Sequence, residues 1–338
     1  MPEKIGWGLV GCGDIANKRV APALKLAAGS QLQACIRKNP GLLREFQLRH
    51  QIPRAYRDYS ELLDDPEIDA VYLATPVFLH CSQTIMAAEK GKHVLCEKPM
   101  AMDSQECRRM IEACRSRGVK LGIAYYRRFF PIVLKIKELL EHGSIGEPIL
   151  VRVTLIEHTQ GALEAPASWR FIPDQGGGGL LMDMVSHRLD LLAMLFGCPH
   201  SVSAVTDTRA FRIAVEDTGS LLIRFASGVH ALAFASHCVR FPLDDFEVFG
   251  TRGQLKVSPL NGSELQVVAD KSEIFCLPKA GNVHLPLIED FNRALFENRD
   301  PLVTGEEGMK ASLILEAAYR SAQFGEVLKF SGWDTRIL

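Results

Sequence analysis

The sequence predicts two halves of different build: an α/β half with a parallel sheet wrapped by helices, then an α+β half with a large, mostly antiparallel, open sheet. Over the first third, short apolar β-branched runs alternate with amphipathic stretches, the pattern of strands joined by helical crossovers. Beyond about residue 200, strand-like runs follow one another with no helix between them, as an antiparallel sheet requires. A length of 338 residues suits two domains. The change of pattern divides the chain into 1–125 and 126–338.

In chain order, the first half reads as strands at 5–10, 32–36, 70–74, 93–96 and 120–124, with helices at 15–28, 40–50, 79–90 and 103–117. Pro22 falls inside the first helix and is expected to distort or shorten it. The second half opens with a helix near 130–142 and the alternating segment 149–157, followed by an irregular stretch. The glycine run 176–179 then starts a helix to about 196. Strands are predicted at 202–207, 218–225, 229–236, 245–249, 253–257, 264–268 and 272–277, with closing helices at 286–298 and 305–324. The strands 218–225 and 229–236 carry too many apolar residues to leave the sheet bare, so a homodimer through that face is expected, or a homotetramer as a dimer of dimers.

Composition removes several classes of function. Hydrophobic residues make up 47% and charged residues 23%, and 39 basic against 40 acidic residues are mixed along the chain. No basic stripe marks a nucleic-acid partner and no polybasic segment marks a membrane partner, which leaves a small neutral or anionic molecule. Nine cysteines occur without a CxxC pair or a His at zinc-finger spacing, so no metal is expected and the thiols read as reduced. With neither a signal-peptide pattern nor an apolar run of bilayer length, the reading is of a cytoplasmic protein.

Gly11, Gly13, Asp14, Ile15 and Ala16 fall in a GxGxxA pattern that follows the first strand and opens the first helix. Glycines suit a sharp turn at which the backbone approaches a pyrophosphate held by helix N-terminal amides, the arrangement of a Rossmann dinucleotide-binding domain. A plain glycine turn is the alternative. The second strand ends in Arg37 and Lys38, where an NAD enzyme places an acid for the ribose hydroxyls. Arginine there suits a 2′-phosphate, so NADP(H) is favoured with NAD(H) as the alternative; a solvated basic pair would look the same. Thr75, Pro76 and His80 follow the third strand, where such folds place loop residues against the cofactor.

Glu97-Lys98-Pro99 closes the fourth predicted strand, at the sheet edge where open α/β folds bind ligands. Lys98 there can hold a substrate hydroxyl. Asp183 and His187 lie four residues apart and share one helix face. Reducing a carbonyl leaves an alkoxide that needs a proton; histidine is a suitable donor and a carboxylate can orient it. An exposed Asp-His pair of no catalytic consequence has the same spacing, and Trp169-Arg170 reads equally as a substrate contact or as a packed Trp with a snorkelling Arg.

Together these segments resemble the Gfo/Idh/MocA family of glucose-fructose oxidoreductase and inositol dehydrogenase. The resemblance runs through GLVGCGDIA, VYLATP with His80, HVLCEKPMA, YYRRFFP, GGGGLLMDMVSHRLDLL and GEEGMKASLILEAAYRSAQFG, almost the whole chain. It implies an oxidoreductase that moves a hydride between a nicotinamide cofactor and a carbohydrate-like alcohol or carbonyl. It places Lys98, with Glu97, beside the nicotinamide and gives Asp183 and His187 proton transfer and substrate binding. It also implies a cis Lys98-Pro99 bond, nominates Arg127 and Arg128, one or the other, as contacts to the cofactor or the substrate, and puts Tyr126, Trp169 and Arg170 on the substrate side. The missing acid after strand two, with VEDTGSLLIRFASGV and FEVFGTRGQL, looks similar to the NADPH-dependent 1,5-anhydrofructose reductase subfamily. Two alternatives share the fold: a redox-neutral NAD-dependent glycosidase and a non-catalytic cofactor-sensing regulator. Retention of Lys98, Asp183 and His187 argues against the regulator.

Overall fold

A computed structural model describes residues 4–158, 168–279 and 281–330. The chain forms two compact units, Met1–Tyr126 with Gly281–Met309, and Arg127–Ala280 with Lys310–Leu338. The change of unit at 126/127 lies beside the boundary expected from sequence, but 281–309, read as part of the second half, returns to the first unit. Its reason is packing. Trp7, fully buried in the first strand, donates its indole N–H to Asn292 Oδ1 at 3.1 Å, and its ring lies 5.6 Å from Phe291. A polar tip buried in a core must find a partner, and here the partner lies 285 residues downstream.

The first unit holds a six-stranded sheet made of β1 (Ile5–Val10), β2 (Ser30–Ile36), β3 (Arg54–Tyr56), β4 (Ala70–Leu73), β5 (His93–Cys96) and β6 (Leu121–Ile123). Its order is β3-β2-β1-β4-β5-β6, with every pair parallel. Every residue of β1 is buried, as expected for a strand covered on both faces. The strand order reverses between β1 and β4, so the loops leaving those strands open a crevice at the carboxyl edge. Helices α1 (Ala21–Leu26), α2 (Pro40–His50), α3 (Tyr59–Asp64), α4 (His80–Glu89) and α5 (Ser104–Ser116) supply the crossovers. β3 and α3 were not expected; the strand is three residues long and has no buried position, so it leaves no apolar alternation to read. The first helix is distorted and shortened around Pro22, as expected. A π-helical turn occupies Ala16–Val20, α1 begins only at Ala21, one residue before Pro22, and it ends at Leu26.

The second unit is built on a nine-stranded sheet of β7 (Pro148–His158), β8 (Pro199–Asp207), β9 (Thr218–Phe225), β10 (His230–Ser236), β11 (Cys238–Gly250), β12 (Gln254–Val257), β13 (Glu264–Val268), β14 (Ser272–Cys276) and β15 (Leu328–Lys329). The order is β14-β13-β12-β11-β7-β10-β9-β8-β15, and only the β7–β10 pair is parallel. Helices α6 (Pro131–Glu141) and α7 (Ser186–Phe196) belong to this unit, α8 (Leu285–Glu297) to the first, and α9 (Gly305–Phe324) begins in the first and ends in the second. One sheet face is covered: Phe196 of α7 lies 5.9 Å from Phe225 of β9, and Ser321 of α9 accepts from the Ala204 amide of β8. The other face carries Leu222, Leu232 and Phe234, exposed at 50%, 42% and 36%. In the register Leu232 stands beside Leu222 and Arg152, so these side chains form one patch.

Candidate active site

At the carboxyl end of β1 the backbone turns through Gly11, whose φ of +93° is open to glycine alone at low cost. A Cβ there would also lie 2.6 Å from the Ala74 carbonyl after β4. Gly13, by contrast, has nothing within 4 Å of where a Cβ would stand, and helical backbone begins at Asp14 and Ile15. An open glycine cradle before a helix start is what a pyrophosphate needs. Beside it lies a recess of about 240 Å³ lined by Cys12, Gly13, Asp14, Asn17, Arg37 and Arg49, among others. Arg37 projects from the end of β2 into this wall and donates to the Cys12 carbonyl at 2.5 Å; Lys38 is exposed. Asp14 pairs with Lys18 at 2.9 Å in solvent, and Ala16 is fully buried. These residues fit a dinucleotide.

The loops after β4 and β5 are stitched together by His80. Its Nε2 lies 2.9 Å from the Thr75 carbonyl and its Nδ1 3.0 Å from the Pro99 carbonyl. Expected as a cofactor contact, His80 is 1% exposed and holds the loops that carry Thr75, Pro76 and Lys98. Burial pushes its pKa below the ordinary value, and the two carbonyls only partly offset this. Thr75 Oγ1 donates to Gln83 at 2.6 Å.

The Lys98-Pro99 peptide is cis. Glu97 beneath it is 7% exposed and its carboxylate is fully engaged: Tyr72 donates at 2.8 Å, His284 Nε2 lies at 3.2 Å, and the Lys98 amide donates at 3.2 Å. Burial alone would raise the Glu97 carboxyl. The His284 hydrogen bond and charge, Tyr72 and the Lys98 charge outweigh it and hold the group below its ordinary value. Burial and the adjacent Glu97 carboxylate push the Tyr72 hydroxyl well above its usual range, so it stays a donor. Tyr126, a substrate-side candidate, packs its ring 4.6 Å from His284.

In the second unit, Asp183 and His187 do sit on one helical run, but it is not regular: Leu181–Val185 is a π-helical turn leading into α7. Such turns recur at functional sites. His187 is 3% exposed, while Asp183 is 37% exposed and lies 3.6 Å from Arg170 Nε. Arg170 stacks 4.4 Å over Trp169, so three of the nominated residues form one cluster. Part of the irregular stretch that follows β7, at 159–167, lies outside the described residues.

Arg127 and Arg128 have another use. Arg128 Nε and Nη2 grip both oxygens of the fully buried Asp190 at 2.7–3.0 Å, and Arg127 donates to Asn261. A buried bidentate pair of this kind fixes the segment before α6 to α7 and competes with the cofactor or substrate role expected for them. Sequence reasoning also missed Tyr72, His284, Glu216 and Tyr319. Glu216 lies in the quoted VEDTGSLLIRF stretch, but its partners are 35 and more residues away. Among the described residues no group of three or more His, Cys, Asp or Glu side chains is placed to hold a metal ion, and no helix is long and apolar enough to cross a membrane.

Fold and site together define a nicotinamide-dinucleotide oxidoreductase with an appended α+β unit. Residues 5–125 match the oxidoreductase family with an NAD-binding Rossmann fold, and 133–256 match the GFO/IDH/MocA C-terminal domain. The 1,5-anhydro-D-fructose reductase of Ensifer adhaerens is 30% identical, covering 95% of this chain and 97% of its own. Among solved structures, the aldose-aldose oxidoreductase of Caulobacter crescentus complexed with glycerol superposes with a TM-score of 0.89 at 29% identity, covering 97% of this chain and all of that one. Levoglucosan dehydrogenase in complex with NADH and levoglucosan gives 0.88 at 26%, covering 97% and 100%. The chain belongs to the Gfo/Idh/MocA oxidoreductase family and is an NAD(P)-dependent enzyme acting on CH–OH and C=O groups.

Proposed function

We propose that the enzyme interconverts a carbonyl and an alcohol on a sugar or polyol, with NADP(H) preferred over NAD(H). The observation that carries the cofactor preference is Arg37 at the end of β2, lining the recess beside the glycine turn where an acid would select NAD. When bound, the nicotinamide supplies or accepts the hydride. Lys98, whose backbone is fixed by Glu97, holds and polarises the substrate oxygen. His187 donates the proton in reduction and takes it in oxidation, and Asp183 orients the imidazole. Trp169, Arg170 and Tyr126 contact the sugar. Cys12, Cys35, Cys81, Cys96 and Cys114, all buried thiols, fit a reducing cytoplasm.

Calorimetric titration with NADPH and NADH under identical salt tests the cofactor reading. NADPH should bind at least roughly tenfold more tightly, a gap of about 1.4 kcal/mol, and tighter NADH would remove Arg37 as a selector. Absorbance assays on 1,5-anhydro-D-fructose, levoglucosan and simple aldoses test the reaction. Product formed without net change in the nicotinamide signal would favour the redox-neutral glycosidase instead.

The bare face of the second sheet supports a homodimer formed by two copies of this chain, with a homotetramer as its dimer. Its apolar strip of Leu222, Leu232 and Phe234 is flanked by the Arg152–Glu247 and Lys256–Glu247 ion pairs, an apolar centre with a charged rim that suits self-association. Sedimentation at micromolar protein should show no monomer; a monomer would refute this interface.

A further inference from the structure

We propose that Glu216 is a positioning residue that fixes the amino end of the helical run carrying Asp183 and His187, with Tyr319 as its latch. The proposal rests on the roles given to Asp183 and His187 above. The run begins in glycines, the residues with most backbone freedom to lose, and Leu180 at its cap offers no side-chain hydrogen bond. Its first amides therefore need outside acceptors. Glu216 provides three. Its Oε2 accepts from the Gly179 amide at 2.9 Å, its Oε1 from the Leu181 amide at 2.9 Å, and its backbone carbonyl from the Leu180 amide at 3.2 Å.

Tyr319 then donates to the same Oε1 at 2.8 Å. Burial and the Glu216 carboxylate push that hydroxyl well above its usual range, which keeps the proton on the tyrosine. The glycines are sterically required as well: a Cβ on Gly178 would collide with the Tyr319 hydroxyl, and one on Gly179 with the Glu216 carbonyl. Glu216 is itself anchored by its neighbour, because Asp217 accepts the amides of Arg209, Ala210 and Phe211 at 2.8–3.0 Å.

Asp183 follows the last clamped amide by two residues and His187 by six, so the seat of the carboxylate sets where both start. A misplacement of about 1 Å at a reacting group costs on the order of a hundredfold in rate. A negative charge at a helix amino end is also favourable by itself. Glu216 is buried and turns its carboxylate to the Gly179 and Leu181 amides and the Tyr319 hydroxyl, so its part is to hold the helix end rather than the substrate.

The test compares Glu216→Gln, Tyr319→Phe and His187→Ala on the most active sugar of the panel, with active enzyme counted by stoichiometric NAD(P)H binding. For Glu216→Gln, kcat should fall at least tenfold while KM and cofactor affinity stay within about threefold. Tyr319→Phe, which keeps both carboxylate–amide bonds and so should fold even where the Gln variant does not, should lie between it and wild type. If His187→Ala is inactive but both clamp variants match wild type per active site, this proposal fails and the catalytic reading survives. Loss of active fraction with unchanged kcat would reduce Glu216 to a purely structural role and refute it too. If His187→Ala retains full turnover, both readings fall.

Discussion

Glu97 and Glu216 are buried carboxylates that each hold the backbone of a candidate catalytic segment, one in each unit, with different partners. Glu97 is held chiefly by side chains, Tyr72 and His284, and by the amide of the residue it precedes. Glu216 is held chiefly by backbone, the Gly179 and Leu181 amides, with Tyr319 added. The surroundings differ as well. Both Tyr72 and His284 are fully buried, and His284 Nδ1 already has no hydrogen-bond partner. Around Glu216 the clamped Gly179 and Leu181 are buried, but the flanking Gly177 and Gly178 are only half-buried. The first arrangement is a sealed polar network and the second an open-ended cap, and a sealed network tolerates the loss of a member less well.

The largest effect expected from that difference is on stability. Glu97→Ala leaves an imidazole and a phenol stranded in a dry pocket and should cost about 3–5 kcal/mol in urea unfolding. Glu216→Ala leaves two backbone amides without acceptors beside the half-buried Gly177–Gly178 end, where water can enter the space vacated by the side chain, and should cost about 1–2 kcal/mol, the scale of a lost helix cap. The order of the two values is what matters. If Glu216→Ala is the costlier, the distinction between sealed and open-ended networks is wrong.

The same contrast explains what was legible in the sequence. Short apolar runs gave β1 and β5, which are buried along almost their whole length, and helical periodicity gave α2 and α9, all to within a residue or two. Glu97 and Lys98 could be read because the holding residue and the held residue are neighbours. Glu216 and Gly179 lie 37 positions apart, and His284 and Glu97 lie 187 apart, so no local pattern joins them. The π-helical turn at Leu181–Val185 was invisible for another reason: it changes the hydrogen-bond register without changing which residues are apolar. The return of 281–309 to the first unit was hidden likewise, since nothing near Trp7 in the sequence shows that its indole N–H needs Asn292.

Acid should separate the two units by smaller increments. Burial depresses the pKa of His80, and also of His93 and His50, below the ordinary 6.5, and all three belong to the first unit. For a base with a depressed folded pKa, the unfolded chain takes the proton first, so its contribution is full above 6.5 and is lost as pH falls toward the folded value. For a group as buried as His80 the loss approaches about 1.4 kcal/mol per pH unit within that window. The second unit holds Asp217, whose carboxyl is lowered from 3.8 to about 2. Burial alone would raise it, but the amides of Phe211, Arg209 and Ala210 outweigh that burial. Its contribution, about 2 kcal/mol, is full above 3.8 and is lost only between 3.8 and about 2. Amide exchange at about pH 7 and about pH 5.5, corrected for intrinsic rates, should therefore show protection falling in β4 and β5 while β9 and β10 keep theirs. Equal loss in both sheets would mean that the buried histidines of the first unit do not set its acid sensitivity.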